Sequence, residues 1–379
     1  MKKVIVLGAG LVGKEMAKDL APRFDVTSVD RSAEALKAAF RDHPTVKTIT
    51  ADLSVPGRIR ELVEPFDIVV GAVPGFMGKA ALREVIEAGR DVVDIAFFPE
   101  DPFDLDDLAK QHGVTAITDF GVAPGMSNML AGYHQKTMQS LASVEILVGG
   151  LPTVREFPFE YKAVFSPIDV IEEYTRPARY IENGHEVVRP ALSDPELVFF
   201  PGIGTLEAFN TDGLRSLVRT IHCPNMKEKT LRFPGHIQLM TAMREAGFFD
   251  KTPIEVRGVE IAPLDFTARV MFPKWQLRPG EEEFTVMRVT IKGVGQDGTP
   301  ETVTWDLLDW FDKKTGVTSM ARTTGYTGTA GVRLLAEGLF HRPGVNPPEI
   351  VGEDESRLTF VLAHLAERNI NYVKTVTRG

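Results

Sequence analysis

Cysteine is almost missing from this chain: 379 residues include one, Cys223. A single thiol forms neither an internal disulfide nor a cysteine-rich metal site. The eight histidines show no H-x-x-x-H spacing, so no metal site is expected from them either. No serine sits in a G-x-S-x-G setting, which removes the strand-turn-helix nucleophile of α/β hydrolases. Positive charge is short as well. Lys and Arg number 43 against 52 Asp and Glu, a formal net charge of -9, which argues against non-specific nucleic-acid binding. Long apolar runs are absent. Met1-Lys2-Lys3 leads into an apolar stretch too short for a signal peptide's core or a membrane span, so a cytoplasmic location is expected. There is no internal repeat and no low-complexity segment.

What is present is ordinary for a folded protein: 43% hydrophobic and 25% charged residues,. The length suits two domains better than one. The first third alternates apolar strands with amphipathic helices. Val4–Leu7, Val26–Val29, Ile68–Gly71, Val92–Ile95 and Val114–Thr118 read as strands buried on both faces,. A helix is expected from about Val12 to Leu20. Such alternation predicts βαβ units and a doubly wound parallel sheet. Near residue 140 the pattern changes. Val144, Ile146 and Val148 alternate, Arg269–Phe272 and Phe284–Lys292 look strand-like, and Asp297-Gly298 reads as a turn into Glu301–Trp305,. A second, α+β domain with a mostly antiparallel sheet is expected here. Helical signals return from about Thr324, with Leu358–Arg368 the clearest.

Gly8-Ala9-Gly10-Leu11-Val12-Gly13 is a G-x-G-x-x-G that follows a strand and opens a helix. In that context it is the fingerprint of a Rossmann-type dinucleotide fold. Gly8 permits the tight turn, Gly10 lets the main chain approach a pyrophosphate, and Gly13 allows close helix packing. The pyrophosphate would meet Leu11, Val12 and the free N–H groups of the helix start. Asp30 ends the next strand at the expected distance, where it would accept hydrogen bonds from ribose hydroxyls and repel a 2′-phosphate. That favours NAD over NADP. Arg31 complicates the choice, since an arginine there can stack on adenine or hold a phosphate. Ala72, Val73 and Pro74, after the strand at Ile68, lie where a loop passes over the cofactor.

Further motifs go beyond the generic fold. Asp119-Phe120-Gly121-Val122-Ala123-Pro124-Gly125-Met126-Ser127-Asn128, Leu231-Arg232-Phe233-Pro234-Gly235-His236 and Arg322-Thr323-Thr324-Gly325-Tyr326-Thr327-Gly328 resemble segments of the saccharopine dehydrogenase-like (saccharopine reductase) family. The runs Tyr174–Tyr180 and Gly202–Arg215 are most similar to the branch of that family that oxidises lysine at its ε-amine. The resemblance implies a Rossmann domain of residues 1–125 and 325–379 and a substrate-binding and dimerisation domain of residues 126–324. It also implies NAD-dependent oxidation of an amine carbon followed by hydrolysis of the imine, and a homodimer or higher homo-oligomer. Reduction to saccharopine, or to a carboxylated polyamine, are the alternatives within the family. A non-catalytic NAD-binding sensor is the alternative outside it.

Such chemistry needs a cation for the α-carboxylate, a carboxylate or polar group for the α-ammonium, and a proton acceptor. Arg215 is favoured for the carboxylate, with Arg176 and Arg179 in reserve, because an arginine fork matches a carboxylate. Glu207 and Asp119 are candidates on the substrate side. His236, Lys162 and Asp94 are unranked candidates for the base: His236 for its ordinary pKa near neutrality, Lys162 if desolvated, Asp94 because it closes a parallel strand. Gly121, at one expected helix start, and Thr324, at another, are read as facing the cofactor.

Overall fold

The computed structural model of the protein describes residues 1–278 and 280–379. The chain begins β1 (Lys3–Leu7), α1 (Gly13–Leu20), β2 (Asp25–Asp30), α2 (Ala33–Ala39), β3 (Lys47–Thr50), α3 (Arg58–Val63), β4 (Ile68–Gly71), α4 (Gly75–Glu87), β5 (Asp91–Asp94), α5 (Asp106–Gln111), β6 (Thr115–Ile117) and α6 (Met126–Thr137). It continues with β7 (Ser140–Pro152), α7 (Pro167–Thr175), β8 (Ala178–Glu182), β9 (His185–Arg189), β10 (Glu196–Phe200), β11 (Gly204–Asn210), α8 (Leu217–Thr220), β12 (Met226–Arg232) and α9 (His236–Glu245). The remainder is β13 (Ile254–Val256), β14 (Val259–Ile261), α10 (Pro263–Trp275), β15 (Glu283–Val294), β16 (Pro300–Trp310), α11 (Ser319–Ala336), β17 (Gly344–Asn346), α12 (Pro348–Gly352), α13 (Glu355–Ala366) and β18 (Tyr372–Arg378).

Two compact units result. One comprises Met1–Gln139, Arg215–Ile221 and Met320–Asn371; the other comprises Ser140–Leu214, His222–Ser319 and Tyr372–Gly379. In the first unit seven strands lie in the order β17-β6-β5-β4-β1-β2-β3, every pair parallel. The order reverses direction at β1, as in a doubly wound Rossmann sheet. Val4–Leu7 and Ile68–Gly71 are buried along their whole length, as strands covered on both faces require. The helix α1 buries Met16, Ala17 and Leu20, spaced for one face, and carries Glu15 in its first turn and Lys18 in its last, in keeping with the helix dipole.

The second unit is built on a mixed sheet whose main path is β10-β11-β12-β7-β15-β16-β18. All these pairs are antiparallel except β12 with β7. β15 and β16 form a long hairpin. At its tip the Asp297 carboxylate accepts the Thr299 N–H and Gly298 takes a left-handed φ of 80°, so the expected Asp-Gly turn forms.

Several local expectations are corrected. Arg269–Phe272 is not a strand but part of α10. Its buried residues are Leu264, Thr267, Met271 and Trp275, spaced three and four apart, so the period is helical and Val270 faces outward. Thr324 and Gly325 do not start a helix; they lie inside α11. There Gly325, Gly328 and Gly331 form one stripe, and a Cβ on each would press on Met16 and Val12, on Met16 and Ile95, or on Phe120 and Val93. These glycines serve close packing rather than a turn. The segment 372–379, expected with the first unit, pairs as β18 with β16 of the second. Conversely α6, expected in the substrate domain, belongs to the first unit, where Gly132 and Gly352 let it cross α12 at backbone contact. Among the described residues no helix is long and apolar enough to cross a membrane, and no cluster of histidine, cysteine or acidic residues could hold a metal ion.

Candidate functional site

The glycine turn after β1 has three different geometries. Gly8 has φ 105° and an added Cβ would meet the Ala72 carbonyl oxygen at 2.5 Å. A Cβ on Gly13 would run into the Gly8 carbonyl and reach the Ala72 side chain at 3.1 Å. These two glycines therefore belong to the fold itself, joining the turn after β1 to the turn after β4. At Gly10 nothing lies within 4 Å of an added Cβ. Close backbone approach at Gly10 is needed by no part of the protein and fits an external ligand. Leu11 is exposed and Val12, half-buried, caps α1; the Lys14 N–H donates to the Gly10 carbonyl at 3.3 Å and the Glu15 N–H to the Val12 carbonyl at 3.0 Å, so a ligand would meet the turn ahead of Lys14 rather than the N–H groups inside the helix.

Asp30 ends β2 beside this turn. Its Oδ2 accepts the Ala9 N–H at 3.0 Å and its Oδ1 the Ser32 N–H at 3.0 Å. Each carboxylate oxygen keeps a second lone pair for a hydroxyl. Arg31 is exposed. Ala72 is half-buried, Val73 buried and Pro74 exposed at the start of α4. These residues fit a dinucleotide: an unfilled glycine cradle, a helix start and an acid one strand away.

At the far end of the parallel sheet the expectations change. Asp119 and Arg215, both expected as substrate contacts, are each other's partners. Arg215 Nε donates to Asp119 Oδ2 at 3.1 Å, one terminal nitrogen donates to Oδ1 at 3.2 Å, and the other donates to the Phe98 carbonyl at 2.6 Å. Both residues are buried and both have φ 55°. The guanidinium also stacks 4.8 Å from the Phe97 ring. A cation so committed has no fork left for a substrate carboxylate.

The turn before α6 is also used internally. The Met126 N–H donates to the Gly121 carbonyl and the Ser127 N–H to the Val122 carbonyl, so these helix-start groups are not available to a cofactor. Gly121 does adjoin Thr324, whose Cγ2 would lie 3.1 Å from an added Cβ. Asp94 is 1% exposed. Its Oδ1 accepts the Ala96 N–H at 2.7 Å, while Oδ2 is buried without a partner. Burial pushes its carboxyl well above the usual carboxylate range, and Asp119 adds to the effect. A carboxyl held this way resists ionisation, which disfavours it as a base.

In the second unit His236 opens α9 after Gly235, which has φ 97°. The Phe159 carbonyl can only accept, so His236 Nδ1 carries hydrogen toward it at 2.8 Å. Nε2 then accepts from the Tyr174 hydroxyl at 2.9 Å, and that hydroxyl accepts from Arg232 Nε at 3.2 Å. Burial, helped by the Arg232 charge, lowers the imidazole to about 3. A neutral ring with both nitrogens engaged cannot serve as a base near neutrality. Lys162 is buried but ion-paired, with Glu156 at 3.0 Å and Glu281 at 3.5 Å; an ammonium held this way has no lone pair to offer. Arg179 forks onto Asp212, and Arg176 lies 3.8 Å from Glu172. Glu207 accepts the Gly235 N–H.

The same unit holds groups not singled out from the sequence. Arg232 lies 4.4 Å over the Tyr161 ring and donates to Glu173 at 2.6 Å. Glu228, fully inside, accepts the Thr211 hydroxyl at 2.5 Å. Burial pushes Glu228 up to about 8 despite that bond. Arg232 and Tyr174 lie within segments that resemble the family, but nothing in those segments marks a relay.

A parallel sheet of this winding with an open glycine cradle and an acid on the next strand defines a dinucleotide-binding protein of the Rossmann class. Residues 4–117 match the family model described as the saccharopine dehydrogenase NADP binding domain, and residues 121–370 match the saccharopine dehydrogenase C-terminal domain. The chain belongs to the saccharopine dehydrogenase family. It is 25% identical over 282 residues to the α-aminoadipic semialdehyde synthase of Mus musculus, a match covering 69% of this chain and 30% of that one. The chain thus spans less than a third of that relative's length. It is 21% identical over 422 residues to the saccharopine dehydrogenase [NADP(+), L-glutamate-forming] of Saccharomyces cerevisiae, covering 92% and 94%. Among solved structures, apo saccharopine dehydrogenase (L-Glu forming) from Saccharomyces cerevisiae superimposes with a TM-score of 0.79 at 19% identity over the whole of both chains. The homospermidine synthase of Legionella pneumophila in complex with NAD gives 0.68 at 11% identity, covering 99% and 91%. These likenesses establish the fold.

Proposed function

We propose that the protein is an NAD-dependent dehydrogenase of a primary amine on an amino acid, with L-lysine oxidised at its ε-carbon. Water hydrolyses the resulting imine, releasing ammonia and an aldehyde that cyclises with the α-amine. The observation that carries this reading is the pairing of the cations. Arg215 is matched by Asp119, Arg179 by Asp212, Arg232 by Glu173, and Lys162 by Glu156 and Glu281. A substrate with several carboxylates, such as saccharopine, calls for surplus cations. Lysine, with one carboxylate and two amines, calls for fewer.

When bound, the dinucleotide supplies the hydride acceptor. Gly10, in the turn that Gly8 and Gly13 shape, would hold the pyrophosphate together with the start of α1, and Asp30 would hold the adenosine ribose. The Asp30 charge opposes a 2′-phosphate, which supports NAD although the matched family domain is described as NADP binding,. Hydride loss from the ε-carbon requires an unprotonated amine. His236 has both ring nitrogens engaged, Lys162 is ion-paired and Asp94 is buried, so the amine loses its proton to solvent. The rate is then expected to climb toward the lysine ammonium pKa of about 10.4.

The test is NADH formation with NAD+ against lysine, ornithine, saccharopine and polyamines. NADH with lysine, and ammonia in equal amount, is the expected result. Turnover of saccharopine or a carboxylated polyamine in place of lysine would overturn the substrate and keep the family. Binding of NAD+ with no turnover across the panel would overturn the enzymatic reading.

A further inference from the structure

The outermost strand of an open sheet keeps a row of backbone N–H and C=O groups that another chain can pair with. In the second unit β18 is such a strand. It pairs with β16 on one side, and no described strand lies on the other. Tyr372 is half-buried and every residue from Val373 to Arg378 is exposed, Val373 by 60% and Val376 by 44%. The devices that usually blunt an edge are missing. β18 has no proline, and its register with β16 runs unbroken from Tyr372 to Arg378, so no bulge twists it away. Its two cations are engaged within the unit. Lys374 lies 5.3 Å over the Trp305 ring, and Arg378 is 3.7 Å from Glu301 and 3.9 Å from Asp297.

One hydrogen bond shows which groups point outward. The Gly379 N–H donates to the Pro300 carbonyl at 3.0 Å. Bonded residues alternate along an antiparallel ladder, so Thr377, Thr375 and Val373 also turn their backbone groups to β16. Tyr372, Lys374, Val376 and Arg378 turn theirs to the open side.

A second copy of β18 fits this row about a two-fold axis perpendicular to the sheet. To keep each face continuous, that axis must pass through a residue, not between two. Centred on Lys374, the pairing sets that cation against itself. Centred on Val376, it sets Lys374 against Arg378. Like charges directly opposite are destabilising. Centred on Thr375, it sets Lys374 opposite Val376, Val373 opposite Thr377 and Tyr372 opposite Arg378, and no like charges meet. The residues with outward groups then face one another and exchange roughly eight hydrogen bonds, against about ten in an interface of standard size. The opposite edge of the sheet, β10, has five residues against seven in β18 and can form fewer.

We propose that the protein pairs with a second copy of itself edge to edge through β18, antiparallel and centred on Thr375, so that one sheet runs through both copies. The proposal does not depend on the reaction assigned above.

Sedimentation velocity of the wild type at micromolar concentration reads the association, and substitutions read the edge. Val376→Pro removes an outward N–H that the bond to β16 does not use, a change an edge strand accepts. It is expected to melt like wild type and to weaken the dimer by about tenfold or more. Thr375→Cys sets two thiols opposite each other across the axis in a non-hydrogen-bonded pair, with Cα atoms about 4.5 Å apart, within disulfide reach. The chain's own Cys223 is buried. Mild oxidation is expected to convert Thr375→Cys to a covalent dimer. Val373→Cys and Thr377→Cys, each about 13 Å from its own counterpart, are expected to stay uncross-linked alone and to cross-link when mixed. A wild type that stays monomeric would overturn the proposal. So would a dimer that Val376→Pro leaves intact, or one in which Thr375→Cys does not cross-link, as pairing through β10 would give. Should Val376→Pro not fold, the cysteine variants still decide.

Discussion

Replacing Glu228 by glutamine changes one buried charge-bearing group and preserves its shape. In the folded protein burial holds this carboxyl at about 8, against an ordinary 4.5 for glutamate. The sign follows from proton counting. Between these values the folded state keeps the proton and the unfolded chain has lost it, so stability falls as pH rises through that window. At pH 7, about 2.5 units above the unfolded value, and with about 1.4 kcal/mol per unit, the loss amounts to about 3 kcal/mol. Below the unfolded value the effect is absent. Glutamine never ionises, and its oxygen can still accept from Thr211, so Glu228→Gln is expected to lack this pH dependence. Urea unfolding followed by tryptophan fluorescence reads the relevant unit, because Trp275, Trp305 and Trp310 all lie in it. The stability advantage of the variant is expected to be small in mild acid and to grow by about 1.4 kcal/mol per pH unit up to about pH 8. A difference that stays constant with pH would refute the reasoning.

The two kinds of glycine in the turn after β1 separate in the same way. Gly10→Ala is expected to melt like wild type yet bind NAD+ poorly in a direct titration, whereas Gly13→Ala, which collides with the Gly8 carbonyl, is expected to lose about 1–3 kcal/mol of stability as well; equal melting of the two would contradict the assignment. His236→Ala is expected to destabilise by about 2–3 kcal/mol, since it strands the Phe159 carbonyl and the Tyr174 hydroxyl, but to leave the shape of the pH–rate profile across the neutral range unchanged; loss of a neutral ionisation from that profile would restore His236 as the base. Arg215→Met is expected to cost about 3–5 kcal/mol by leaving Asp119 buried and unpaired, with much of that recovered in Arg215→Met/Asp119→Leu; additive losses in chemical denaturation would show that the two do not act as a pair.

The parts of the fold legible in the sequence are those written in short windows. Val4–Leu7, the glycine turn, α1 and Asp30 are contiguous, and each residue's role depends on backbone geometry within a few positions. The hairpin at Asp297-Gly298 was readable for the same reason. Arg269–Phe272 failed because four residues cannot separate a period of two from one of 3.6; only the spacing of Leu264, Thr267, Met271 and Trp275 over the whole of α10 does so,. The α11 glycines looked like punctuation, and only the position of Met16 and Phe120 beside them shows that they make room. Site chemistry was less legible still. Asp119 and Arg215 are 96 residues apart, and His236 and Tyr174 are 62 apart. A sequence shows each of these residues singly, but the partner, and with it the availability of the group, is set by the fold.

That distinction bears on how the active groups divide their work. A buried arginine with a bidentate acid is already satisfied, and drawing it onto a substrate would abandon a buried carboxylate at a cost of about 3–5 kcal/mol. Arg215 is of this kind, and Arg232 and Lys162 are likewise ion-paired with acids. Ligand recognition on this reading depends less on the conspicuous cations than on backbone left open at Gly10 and the spare lone pairs of Asp30. It follows that changes to the cations should appear first as lost stability, with cofactor binding by the folded protein little altered.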